Sequence, residues 1–99
     1  MPSRFGAKLG LSSSFLIRSE IDIMASILNE ARKGARKTRI MYKCNLSYKQ
    51  LQTYLKLLTG LDLIVFVSKK GNNTTGFFKI SGKGVEFLDA YRKLKVLMT

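Results

Sequence analysis

The chain has no histidine, a single cysteine and only six acidic residues among its 99. Without histidine, and with Cys44 alone, a His/Cys zinc site, a Ser-His-Asp or Cys-His triad and an internal disulfide are all excluded. The acids Glu20, Asp22, Glu30, Asp62, Glu86 and Asp89 are scattered, and no glycine-rich phosphate loop is present. The chain therefore does not read as an enzyme, and no cofactor, metal or small-molecule ligand is expected. Long apolar runs are also lacking, so no membrane span is expected. Near the N-terminus Arg4 and Lys8 precede LGLSSSFLI, but that run is short and serine-rich and no small-residue cleavage site follows. It is not read as a secretory signal, and a cytoplasmic protein is expected.

What the chain has in quantity is positive charge. Eighteen lysines and arginines give a formal net charge of +12, which calls for a polyanionic partner, most often nucleic acid and less often anionic lipid. Hydrophobic content of 45% with 24% charged residues is that of a globular chain and not a disordered one. The length suits one domain with a modest core.

The cations concentrate around KTRIMYKCNLSYKQLQTYLKLLT, residues 37–59, where two helical patterns flank Asn45-Leu46-Ser47. Arg36, Lys37, Arg39, Lys43, Lys49 and Lys56 fall here with no acid among them. Ser47 followed by Gln50 fits a capping box, and Gly60 is placed to end the helix in the left-handed conformation, giving a helix over about 48–59. Leu51, Leu55 and Leu58 line its inner face, leaving Tyr48, Lys49, Gln52, Thr53 and Lys56 outward. In the shorter pattern Thr38 is the expected N-cap, and Ile40 and Met41 face inward. Two short helices and a tight turn, the second helix polar and basic outside, describe a helix-turn-helix.

Residues 1–18 form a flexible N-terminal segment in this reading, with Phe15 to Ile17 as a packing anchor. Ser19 to Lys33 is helical, closed by Gly34, and Ala35 to Lys37 is a basic linker. After Gly60 the period becomes extended: Leu61 to Ser68 and Phe77 to Ile80 read as strands of a hairpin whose tip carries Lys69 and Lys70. A last helix runs from Val85 to about Met98. Val85 and Leu88 serve the core, while Tyr91, Leu94 and Met98 project past it for a contact between two copies. The expected fold is α+β, mostly α: a winged helix-turn-helix over residues 19–99, with three helices, a β-hairpin wing and a C-terminal helix.

Duller readings stand beside these. The polar face of residues 49–56 reads also as a solvated surface, Tyr48 as packing on the preceding turn, and Lys69 and Lys70 as protection of a hairpin edge. Tyr42 and Tyr54 read as core or core-edge residues, and Cys44 as a small buried residue before the turn.

Lys37-Thr38-Arg39-Ile40-Met41-Tyr42, Asn45-Leu46-Ser47-Tyr48 and Ser81-Gly82-Lys83-Gly84 resemble the archaeal winged-helix DNA-binding domains that include the ten-kilodalton chromatin-associated proteins of crenarchaea. The resemblance covers roughly Ser19 to Leu94. It implies a recognition helix matching Ser47 to Leu58, a wing matching Val67 to Phe78, and a homodimer held by a long C-terminal coiled coil. Only 18 residues follow Ser81, so a long arm is not expected, and a shorter helix or the N-terminal segment would have to make the dimer. The implied partner is double-stranded DNA. Ser47, Tyr48, Lys49, Gln52, Thr53 and Lys56 enter the major groove, while Arg36, Lys37, Arg39, Lys69 and Lys70 hold phosphates. A transcriptional regulator is the leading reading; a non-specific architectural chromatin protein and an RNA-binding or protein-docking winged helix are the alternatives. In an archaeal cell the cytoplasmic location would include the nucleoid.

Overall fold

A computed structural model describes residues 20–69 and 72–98 of the chain. The expected flexible segment 1–18 and Lys70 lie outside the described residues. The element order is α1 (Glu20–Glu30), α2 (Lys37–Lys43), α3 (Tyr48–Gly60), β1 (Ile64–Lys69), β2 (Asn72–Ile80) and α4 (Gly82–Leu97). This is the expected winged helix-turn-helix, mostly α with one antiparallel hairpin.

The core forms where each helical pattern turns its apolar stripe inward. Met24, Ala25, Ile27 and Leu28 of α1 meet Ile40 of α2, Leu51, Leu55 and Leu58 of α3, Ile64 of β1 and Leu88 of α4. Ile27, Leu28, Ile40, Leu51, Leu58 and Ile64 are fully enclosed. Tyr42 corrects its core-edge reading: it is 86% exposed, because two residues beyond Ile40 it falls on the opposite side of α2. Val85 is likewise 46% exposed, and Leu88 alone of that pair enters the core.

Both helices of the helix-turn-helix end in the same way. After α2, Asn45 takes φ 56°, its amide bonds Tyr42 O, and the Leu46 amide reaches back to Met41 O. After α3, Asp62 takes φ 62°, its amide bonds Thr59 O, and the Leu63 amide reaches Leu58 O. These are Schellman terminations that fold the next leucine against the helix just ended. Gly60, expected to supply the left-handed residue, is instead the last helical residue, and the turn falls two positions later on Asp62. Arg36, not Thr38, is the N-cap of α2, with extended backbone and no side-chain cap.

The hairpin pairs Ile64 with Ile80, Phe66 with Phe78 and Ser68 with Gly76, with an irregularity between Ser68 and Lys69. Ala35, read as linker, exchanges backbone hydrogen bonds with Phe78 at 2.9 and 2.8 Å, stitching the chain before α2 to the root of β2. Gly34 makes that approach feasible: it has φ 92°, and a Cβ there would lie 2.8 Å from the Phe77 ring. Helix α4 begins earlier than expected, capped by Ser81. The Ser81 hydroxyl accepts from the Gly84 amide at 3.0 Å and donates to Asp62 O at 2.6 Å.

Candidate nucleic-acid interface

Helix α3 is fixed at its start by the expected capping box. The Gln50 amide donates to Ser47 Oγ at 3.1 Å, and the Ser47 amide donates to Gln50 Oε1 at 2.9 Å. The three buried leucines fix its rotation, so Lys49, Gln52, Thr53 and Lys56 are exposed on the side away from the core. No hydrogen bond or ion pair among the described residues engages the side chains of Lys49, Gln52 or Lys56. Thr53 donates its hydroxyl to Lys49 O at 3.1 Å, which leaves it as an acceptor on that face. Ser47 is exposed, and its hydroxyl retains a proton to donate outward.

Tyr48 is 60% exposed, and Lys37 Nζ lies 5.8 Å from the centre of its ring. This pairing joins the first turn of α2 to the first turn of α3, and Tyr48 points into the open. Arg36 is exposed beside it. Arg39 stands apart: its Nε lies 3.6 Å from Oε1 of the half-buried Glu30 at the end of α1, a long ion pair made by an exposed arginine. Lys69 ends β1, and its side chain, like all of Lys70, is outside the described residues.

Two flanks of α3 differ in character. On one, an open hollow is lined by Glu20, Ser47, Lys49, Gln50, Thr53, Tyr54 and Leu57, which brings an acid beside the helix. Burial, and then the Glu20 carboxylate, raise the Tyr54 phenol above its ordinary pKa, so it stays neutral and half-buried against the core. On the other flank a groove separates α3 from the hairpin root, with Lys37, Gln52, Lys56, Thr59 and Phe78 along it and no acid. The basic surface thus faces the wing. Phe78 and its partner Phe66 form a tilted ring pair there, centroids 5.1 Å apart, a feature the sequence reading did not anticipate.

Of the residues expected to join copies, Tyr91 turns inward: its phenol donates to the Asp22 carboxylate of α1, which Lys95 Nζ also approaches at 3.4 Å. Leu94 and Met98 remain about half exposed. No helix among the described residues is long and apolar enough to cross a membrane, and no His/Cys/Asp/Glu group among them is arranged for a metal.

Residues 17–99 match the winged helix-turn-helix family, and the chain belongs to it. Among solved structures it is similar to Sso10a-2, a DNA-binding protein from Sulfolobus solfataricus, with TM-score 0.69 and 22% identity over 82% of each chain. It is also similar to MepR of S. aureus bound to an oligodeoxyribonucleotide, with TM-score 0.66 and 11% identity over 86% of this chain and 63% of that one. E. coli MarR complexed with operator DNA aligns with TM-score 0.61 and 12% identity over 87% of this chain and 56% of that one. The chain therefore spans less than two thirds of the length of these two proteins. No curated protein matches it in sequence.

Proposed function

We propose that this protein is a transcriptional regulator that binds double-stranded DNA as a homodimer, with α3 in the major groove and the hairpin along the phosphate backbone. The observation that carries this is the outward face of α3. Lys49, Gln52, Thr53 and Lys56 stand exposed on one side of a helix rigidly capped at both ends, and the groove toward the wing holds cations and no acid. Lysine and glutamine reach guanine and adenine edges respectively, and Lys37 and Arg36 stand where phosphates would flank them. That MepR and MarR, of similar fold, are each solved with DNA bound supports DNA as the partner by analogy of fold.

For the dimer, Leu94 and Met98 offer a half-exposed apolar strip that continues past Tyr91. Two recognition helices related by a two-fold axis would be about 34 Å apart and would read a palindrome. Fluorescence anisotropy of labelled duplex, competed with random-sequence DNA and with RNA, tests the reading. Retention against random DNA marks a regulator, and displacement by it marks an architectural chromatin protein. Preference for RNA, or no binding at low salt, refutes the proposal. Lys49→Ala with Gln52→Ala should remove discrimination among sequences; unchanged discrimination would refute base reading by α3.

A further inference from the structure

The groove between α3 and the hairpin differs from the rest of the basic surface in its aromatic borders: Phe78 lines it, Tyr48 neighbours its Lys37, and Phe66 neighbours its Phe78. Tyr48, 60% exposed, lies at one end under Lys37 Nζ. Gln52 and Lys56 follow along α3, with Leu55 and Thr59 as the floor. Phe78 forms the opposite wall, and Phe66, 43% exposed, extends it toward the wing tip.

The hairpin is shaped to keep Phe66 there. A Cβ on Gly76 would stand 2.4 Å from the Val67 carbonyl oxygen and 2.6 Å from Phe66 Cζ, so the close strand approach here takes glycine and the Phe66 ring lies over it. Phe78 packs partly against the core, whereas Phe66, its cross-strand partner, stays 43% exposed, so core packing does not account for the second ring. A paired duplex hides its base faces within the stack and offers such rings only sugar. An unpaired base offers a π face, and cations spaced along a groove with aromatic platforms are the arrangement that holds a single strand.

We propose that this groove binds unpaired nucleotides of DNA, with Phe66 and Phe78 as the stacking platform, Lys37 and Lys56 on the flanking phosphates and Gln52 at a base edge. The inference rests on the nucleic-acid reading above and adds to it a preference for interrupted duplex.

The test measures affinity for an intact duplex and for the same duplex with a gap of about six nucleotides, within the site sizes of single-strand binders. 2-Aminopurine in the gap reports stacking. The full chain should favour the gapped DNA and quench the probe. Phe66→Leu, which keeps an apolar side chain but no ring, should lower the gapped-to-intact affinity ratio on the order of tenfold. Phe66→Tyr should retain the ratio, and circular dichroism melting would confirm that both variants are folded. Equal affinity for the two DNAs, an unquenched probe, or a ratio unaltered in Phe66→Leu overturns the inference while leaving duplex binding intact. A stronger preference for the same gap made of RNA overturns the assignment to DNA. Failure to bind either DNA would instead remove the underlying nucleic-acid reading.

Discussion

Replacing Lys49 and Lys56 together by alanine tests the interface through its salt dependence. The two ammonium groups rise from the outward face of α3 seven residues apart, about 10 Å along the axis. Neither has an acidic partner among the described residues, so each is available to displace a condensed counterion. Arg36 and Lys37 likewise have no acidic partner among the described residues, and with Lys69 and Lys70 of the wing the cations total six. With six phosphates neutralised, log K should fall against log salt with a slope of about −5, and the double variant should flatten it to about −3.5. Between 50 and 200 mM salt the parent would lose roughly three decades of affinity and the variant roughly two. Alanine is the strongest helix former, so α3 should not weaken, and a melting curve gives the control. Anisotropy titrations on one duplex at four or more salt concentrations decide the matter. An unchanged slope would show that these lysines stay solvated when DNA binds, and major-groove docking of α3 would have to be abandoned.

Glu30→Gln should release Arg39 at a cost of about 1 kcal/mol or less, since the contact is long at 3.6 Å and Arg39 is exposed. The salt slope should then steepen by about one unit, and no steepening would show that Arg39 does not reach a phosphate. Asp62→Ala should destabilise the domain by about 1–2 kcal/mol in urea unfolding, because φ 62° suits Asp better than Ala, while Asp62→Gly should be neutral or better. Equal stability of the two variants would refute the strain argument. Gly84→Ala should cost about 1–3 kcal/mol, because its Cβ would collide with the Leu63 carbonyl and come within 2.6 Å of Ile80 Cγ1. A wild-type melting midpoint would show that α4 can slide on the hairpin root.

The sequence displayed most clearly the features that depend on neighbours along the chain. The capping box at Ser47 and Gln50, the leucine stripe of α3 and the order of elements are all local patterns, and each is present. Features set by distant pairings were hidden. Glu30 meets Arg39 because α1 ends beside α2, which no local spacing reveals. Phe66 faces Phe78 only once the hairpin register is set, and the long polar loop between the strands leaves that register open in the sequence. Tyr42 was misread because an aromatic residue in an apolar-looking run of a short helix gives too few turns to define the buried side. The left-handed turn was assigned to Gly60 on residue type, whereas α3 runs one residue further and Asp62 tolerates the positive φ locally.

These placements divide recognition into two parts with different mechanical support. Helix α3 is tied at its N-terminus by reciprocal side-chain bonds, along its length by Leu51, Leu55 and Leu58, and at its C-terminus by the Leu63 amide returning to Leu58 O. The hairpin is anchored at its root, where Ile64 enters the core, Ala35 bonds Phe78, and Ser81 bridges to Asp62 O. Outward of Phe66 the strand pairing becomes irregular between Ser68 and Lys69. Base discrimination needs donors held in place before the DNA arrives, which in the proposed mode α3 would supply with Lys49 and Gln52. Phosphate neutralisation tolerates a less constrained support, because its energy follows counterion release more than hydrogen-bond geometry. A substitution on α3 should therefore change which DNA is chosen, and a lysine removed from the wing should weaken binding to all DNAs alike.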